Sequence, residues 1–306
     1  MSHLVTIVGP TAVGKSRLAM KLAQALGGEI VNADSRQVYR FMDIGTAKPS
    51  PDDLSLVPHH LISIVDPDED FSLARYHTLA SEAINEIQSR GKLTLLAGGS
   101  GQYVWSMMEG WKIPQVPPHP KLRHRLEEQV EREGGQRLYQ ELTRIDPAAA
   151  ERISPHNIRR VIRALEVYQS SGVPFSQLKQ KQPPPFKTLI IGLTTDREKL
   201  YRRIDLRVDD MIERGLVAEV KKLLSLGYDL SLPAMSSIGY KQIGLFLSGK
   251  LTLTEAIQQI KFDSHRFVRH QYAWFRLQDS RIRWFDIAND NLAPGLVGLV
   301  TQFVGT

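Results

Sequence analysis

Cysteine is absent from the 306 residues. Disulfides, thiolate metal sites and a cysteine nucleophile are excluded with it. Long apolar runs are missing too, and nothing approaches the ~20 uninterrupted apolar residues of a membrane helix. The opening Met-Ser-His-Leu-Val-Thr-Ile-Val-Gly has too short an apolar run for a signal peptide and no basic lead. A cytoplasmic location is therefore expected. Internal repeats and low-complexity tracts are lacking, and so is any acidic excess. Lys and Arg number 39 against 33 Asp and Glu, for a net charge of +6. That balance favours a polyanionic partner, though weakly. What is present is ordinary for a globular chain, with 42% hydrophobic and 24% charged residues. This excludes disordered and collagen-like classes and leaves enough apolar material for a full core.

Short apolar runs alternate with helical patterns in the first third. Leu4–Val8 reads as a buried strand, followed by a helix over Lys15–Leu26. Further strands are expected at Glu29–Ala33, Leu61–Val65, Leu93–Ala97, Leu189–Leu193 and Trp284–Ile287, and a helix over Leu73–Ser89. The fold class expected is α/β, a P-loop-type doubly wound parallel sheet with a helical insertion domain. Such sheets bind ligands at the carboxyl ends of their strands. Pro114, Pro117, Pro118 and Pro120 crowd one segment, and only helical patterns follow: Leu122–Glu133, Gln136–Ile145 and Asn157–Ser170. The insertion is placed at 115–155, with an end that could extend to about 185. Residues 1–114 and 156–306 then form the core, including basic C-terminal helices.

The sharpest motif is Gly9-Pro10-Thr11-Ala12-Val13-Gly14-Lys15-Ser16, which fits G-x-x-x-x-G-K-[ST] between a strand and a helix. Backbone N–H groups of such a loop converge on phosphate oxygens, helped by the helix N-terminus. Lys15 reaches an outer phosphate, and the Ser16 hydroxyl is placed to ligate Mg²⁺. Loops of this type ordinarily serve nucleotides such as ATP, but these residues specify only a phosphate-bearing ligand. After the second strand comes Asn32-Ala33-Asp34-Ser35-Arg36-Gln37. Asp34 suits a general base there, or a helix cap. Gly98-Gly99-Ser100-Gly101 forms a third loop at the same edge and offers the Ser100 hydroxyl. Arg203 and Arg207, four apart on a helix, face either one phosphate group or solvent beside Asp205 and Asp209. Residues 257–285 interleave six Lys and Arg with Tyr272, Trp274, Phe275, Trp284 and Phe285. Interleaved charge and aromatics suit RNA, although a solvated helix face reads the same.

Together these blocks resemble the tRNA dimethylallyltransferases (isopentenyl-tRNA transferases). The resemblance runs through Gly9–Ser16, Asn32–Ser35 with Gln37 and Tyr39, and Gly45-Thr46-Ala47-Lys48-Pro49. It continues through His59-His60-Leu61, Gly98–Gly101 with Tyr103, and Arg163-Ala164-Leu165-Glu166-Val167. It closes with Ala234-Met235, Ile238-Gly239-Tyr240-Lys241, and Gln271 with Trp274-Phe275-Arg276. The blocks run in order over almost the whole chain. Ser16 and Ser100 stand where the family more often has Thr, and each keeps the hydroxyl. His156-Asn157 and His265 depart from the family pattern at expected RNA contacts.

The resemblance implies transfer of a dimethylallyl group from its diphosphate to N6 of the adenosine 3′-adjacent to the tRNA anticodon. It implies Asp34, Ser100 and Lys15 as catalytic residues. Gly9 to Ser16, with Arg203 and Arg207, would bind diphosphate, and Mg²⁺ would sit at Ser16. The tRNA anticodon stem-loop would meet Asp34, Ser35, Arg36, Gln37, Asn157, Ile158, Arg159, Arg160, Val161, Arg163, Arg269 and Gln271. A monomer without membrane attachment is expected. A small-molecule P-loop kinase, whose insertion would be a lid, and a prenyltransferase acting on free AMP are the alternatives.

Overall fold

The computed structural model describes residues 2–114, 116, 119–178, 180–288 and 292–305. The chain divides into two compact units, Met1–Met108 with Pro185–Thr306, and Glu109–Pro184. In the first unit the strands are β1 (Ser2–Val8), β2 (Glu29–Asn32), β3 (His59–His60) and β4 (Thr94–Ala97). After β5 (Trp111–Lys112) and β6 (Gln180–Lys181) of the second unit, the first unit resumes with β7 (Phe186–Thr194) and β8 (Ile282–Asp286). Its sheet runs β3-β2-β4-β1-β7-β8, and every pairing in it is parallel. The chain leaves β1 in one direction for β2 and β4, then in the other for β7 and β8. That reversal makes the carboxyl end of β1 a topological switch point. Leu4, Val5, Ile7 and Val8 are fully buried because helices cover both faces of this strand.

The first-unit helices are α1 (Lys15–Leu26), α2 (Pro51–Leu56), α3 (Leu73–Ser89) and α4 (Gly101–Met108). The second unit supplies α5 (Pro120–Glu133), α6 (Gly135–Ile145), α7 (Pro147–Ala150), α8 (Ile158–Ser171) and α9 (Phe175–Leu178). The first unit then adds α10 (Arg197–Glu213), α11 (Leu216–Ser225), α12 (Tyr240–Leu247), α13 (Leu253–Trp274) and α14 (Leu292–Val304). Among the described residues no helix is long and apolar enough to cross a membrane.

One expectation changes and one is narrowed. The strand expected at Leu61–Val65 is instead β3 at His59–His60. Leu61 and Ser63 turn left-handed, at φ 64° and 54°, which breaks the extended run. Only an isolated bridge, Tyr39 to Val65, remains beyond it. The helical unit, 109–184, follows the longer expected end near 185 and not the end at 155. Helix α8 packs in the helical unit, where Val161, Ile162 and Leu165 join Leu122, Leu126, Leu138 and Leu142 in one core. The expected start at Gln115, and Pro117 and Pro118 of the proline cluster, lie outside the described residues.

Candidate active site

Three loops meet at the carboxyl edge of the sheet, following β1, β2 and β4. The last two are pressed together. Ala33 N–H donates to Ala97 O at 2.8 Å and Ser100 N–H to Ala33 O at 3.1 Å. A Cβ at Gly98 would stand 2.1 Å from Ala33 O, so only glycine permits this approach.

Asp34 does not cap a helix, because a turn follows it and the next helix begins at Pro51. One carboxylate oxygen accepts the Arg36 N–H at 2.8 Å, which sets the side chain in an Asx turn. The other has no hydrogen-bond partner among the described residues. Asn32, buried at the end of β2, holds the turn from behind. Its Oδ1 accepts from Asp34 N–H at 3.0 Å, while its Nδ2 donates to Asp34 O at 3.1 Å and Leu61 O at 3.0 Å. Sequence reasoning assigns Asn32 no role. Its signal is an Asx residue at a strand's carboxyl end, two residues before a carboxylate.

Lys15 folds back to donate to Pro10 O at 2.7 Å. Burial pushes the Lys15 ammonium down to about 8; Asp34 opposes that shift and Arg207 adds to it. Arg203 donates from Nε to Ala12 O at 3.0 Å, and Arg207 lies 3.4 Å from Thr11 Oγ1. Both therefore sit on the phosphate loop, as the pairing reading expects. Asp205 and Asp209 point elsewhere, to His265 at 2.9 Å and Lys261 at 2.7 Å on α13. Ser16 is exposed on the first turn of α1. Ser100 is committed within the site: its Oγ accepts the Ser35 N–H at 2.9 Å and meets Ser35 Oγ at 3.2 Å. Tyr103, stacked on Tyr76 at 3.7 Å, has its phenol pushed up by burial and by the charge of Asp34, among others.

Several residues expected at the RNA also make tertiary ties. Gln271 is buried, accepts the Thr11 N–H at 2.8 Å and donates to Gly99 O at 3.2 Å. It straps the phosphate loop to the third loop. Arg36 donates to Pro233 O at 3.0 Å. Gln37 donates to Thr46 O and Ala47 O, both at 3.1 Å.

In the helical unit, Val161 is fully buried, so its side chain is not a surface contact, while Ile158 is partly buried against the same core. Arg163 pairs with the fully buried Glu166 at 2.7 Å and donates to Val116 O at 2.8 Å. Burial alone would raise the Glu166 carboxyl. The His119 N–H and the Arg163 and Arg123 guanidinium groups outweigh burial and hold it below its ordinary value. Asn157 caps α8 by accepting the Arg160 N–H at 3.3 Å. Arg159 and Arg160 are exposed there, as is Arg269 on α13.

The model of the IPP transferase family matches residues 37–278. The tRNA dimethylallyltransferase of Dehalococcoides mccartyi is 48% identical over 304 residues, which is 99% of this chain and 93% of that one. The enzyme of the same name from Roseiflexus castenholzii is 53% identical over 276 residues, 90% of each chain. Among solved structures, the full-length tRNA isopentenylpyrophosphate transferase of Bacillus halodurans superposes with a TM-score of 0.74 at 41% identity, covering 100% of this chain and 97% of that one. A eukaryotic dimethylallyltransferase acting on tRNA gives 0.84 at 27% identity, covering 100% and 80%.

Proposed function

The chain belongs to the IPP transferase family, and from that premise we propose that it prenylates tRNA. A dimethylallyl group passes from dimethylallyl diphosphate to N6 of the adenosine 3′-adjacent to the anticodon, and diphosphate is released. The observation that carries this reading is the convergence of the phosphate loop, Arg203, Arg207 and Asp34 at one sheet edge.

The new bond joins the adenine nitrogen to the allylic carbon, and the bond from that carbon to the diphosphate oxygen breaks. The exocyclic amine is a weak nucleophile because its lone pair is delocalised into the ring. It must lose a proton as it reacts, and Asp34 is the base in place to take it. Negative charge grows on the departing diphosphate. Lys15, Arg203 and Arg207 lie beside that charge, with Lys15 and Arg203 turning from the Pro10 and Ala12 carbonyls to meet it. Among the described residues no cluster of three or more His, Cys, Asp or Glu could hold a metal ion. A single protein hydroxyl with diphosphate oxygens and water fits Mg²⁺, which usually takes few protein ligands. Ser16 would hold it, and the ion when bound would neutralise the leaving group.

Incubation with labelled dimethylallyl diphosphate and separate pools of tRNA, AMP and ATP tests the function. Label should enter tRNA alone. Label in AMP would move the assignment to free-nucleotide prenylation, and consumption of ATP would point to a kinase.

A charged Lys15 attracts diphosphate, so binding should weaken as pH rises through about 8. Calorimetric titration with dimethylallyl diphosphate across pH 7–9.5 checks this, and Lys15→Ala should flatten the profile. A wild-type affinity independent of pH would separate Lys15 from the ligand.

Exposed Arg266 and Arg269, one turn apart on α13, and exposed Arg159 and Arg160 of α8 are the cations offered to RNA phosphates. RNA affinity should fall steeply with salt as counterions are released. Arg269→Ala should flatten the log–log slope by roughly 0.7–0.9. An unchanged slope and affinity would mean that this face meets only solvent.

A further inference from the structure

Glu219 lies on α11, far in sequence from every loop of the site, yet it is tied to the segment that follows Asp34. Its carboxylate accepts the N–H groups of Asp43, Ile44 and Gly45 at 3.0, 2.8 and 3.2 Å. Tyr240 donates its phenol to the same carboxylate at 2.5 Å. Burial, followed by the charge of Glu219, raises that phenol well above its ordinary range, so it stays a donor. The tyrosine ring also fills the space beside Gly45, where a Cβ would stand 2.4 Å from it. The turn held in this way is strained, with Ala47 left-handed at φ 49°. Lys48 adds a tie from the other end, donating to Tyr39 O at 2.5 Å and Asp43 at 2.7 Å.

The turn presents the carbonyls of Thr46 and Ala47 to Gln37. Both accept from Nε2, so the amide cannot flip without setting its oxygen against two carbonyl oxygens. Gln37 Oε1 has no partner among the described residues. A buried amide three residues beyond Asp34 thus has its donor end used and its acceptor end open. Asp34 is an acceptor as well. Two acceptors in one loop suit a group that brings two hydrogens, such as the exocyclic amine of a 6-aminopurine. A 6-oxopurine would set its own oxygen against them.

Resting on the tRNA-prenylation reading, we infer that Glu219, with Tyr240, is a positioning residue that fixes the 43–48 turn so that Gln37 Oε1 selects a 6-amino over a 6-oxo base. The amide accepts one amine hydrogen while Asp34 takes the other. Glu219 touches no substrate and acts only through the turn and Gln37.

The test uses two anticodon stem-loop hairpins that differ only in adenosine or inosine at the target position. Their dissociation constants are measured with the full chain. The wild type should prefer adenosine by about tenfold or more. Gln37→Ala and Glu219→Ala should each bring the ratio close to one. The double variant should fall no further than either single change, because both act on one interaction. A purely structural loss would weaken both hairpins alike and leave the ratio at its wild-type value, which would overturn the inference. So would independent, additive losses in the double variant. If a thermal melt shows that Glu219→Ala does not fold, Glu219→Gln takes its place. Its amide puts a donor against the N–H groups and should give the same loss of ratio. A wild type that prenylates tRNA yet binds both hairpins equally overturns this inference alone. A wild type that transfers nothing to tRNA overturns the function itself.

Discussion

Replacing Asp34 by alanine is expected to lower kcat by about 10²–10⁴-fold, the usual cost of losing a general base. The carboxylate does two things that can be separated. It accepts the Arg36 N–H, which shapes the loop, and its second oxygen is open to a proton. Asp34→Asn keeps an acceptor for Arg36 and loses the base. If proton abstraction is the role, asparagine should be nearly as damaging as alanine. If the role is loop shape, asparagine should restore most of the rate. A secondary shift should accompany either change. Asp34 raises the Lys15 ammonium against the effect of burial. Without it, Lys15 should lose its proton at lower pH, and diphosphate affinity should begin to fall earlier. Single-turnover rates and diphosphate titrations across pH measure both effects. A near-wild-type kcat in Asp34→Asn would remove the carboxylate from the chemistry.

The readable parts of the sequence were those set by local physics. The β-branched run of β1, the glycine spacing of the phosphate loop and the 3.6-residue pattern of α1 each need only neighbours along the chain. The parts that misled were residues recruited by partners far away. Leu61–Val65 has strand composition, yet Asn32 and Gln37 bind its backbone and hold the turn. Gln271 and Arg163, expected at the RNA, also have tertiary partners that spacing did not reveal. Their partners are a loop 260 residues distant and a buried carboxylate in the same helix. Glu219 gave no local signal at all, since its three N–H partners are about 175 positions away. Long polar side chains serve tertiary ties and ligands equally well, and spacing alone does not separate the two.

The helical unit offers the other large effect. Its two ends enter side by side: β5 pairs antiparallel with β6, and Gln182 N–H donates to Gly110 O at 2.8 Å. Strands so paired lie ~5 Å apart, so a short Gly/Ser linker can replace residues 109–184 without straining the remainder. The unit has a core of its own around Leu126, Leu138, Leu142 and Val161, separate from that of the α/β unit. Its removal should therefore leave the α/β core folded, as a circular-dichroism melt would verify. Binding of dimethylallyl diphosphate should then largely survive, because Arg203, Arg207 and Gln271, which hold the phosphate loop, all belong to the α/β unit. Affinity for tRNA should drop on the order of 10²-fold. The salt slope should flatten by roughly 0.7–0.9 for each RNA phosphate that Arg159 and Arg160 no longer neutralise. The reverse pattern in a folded core, with diphosphate binding abolished and tRNA affinity intact, would make the unit a lid that closes over a small substrate.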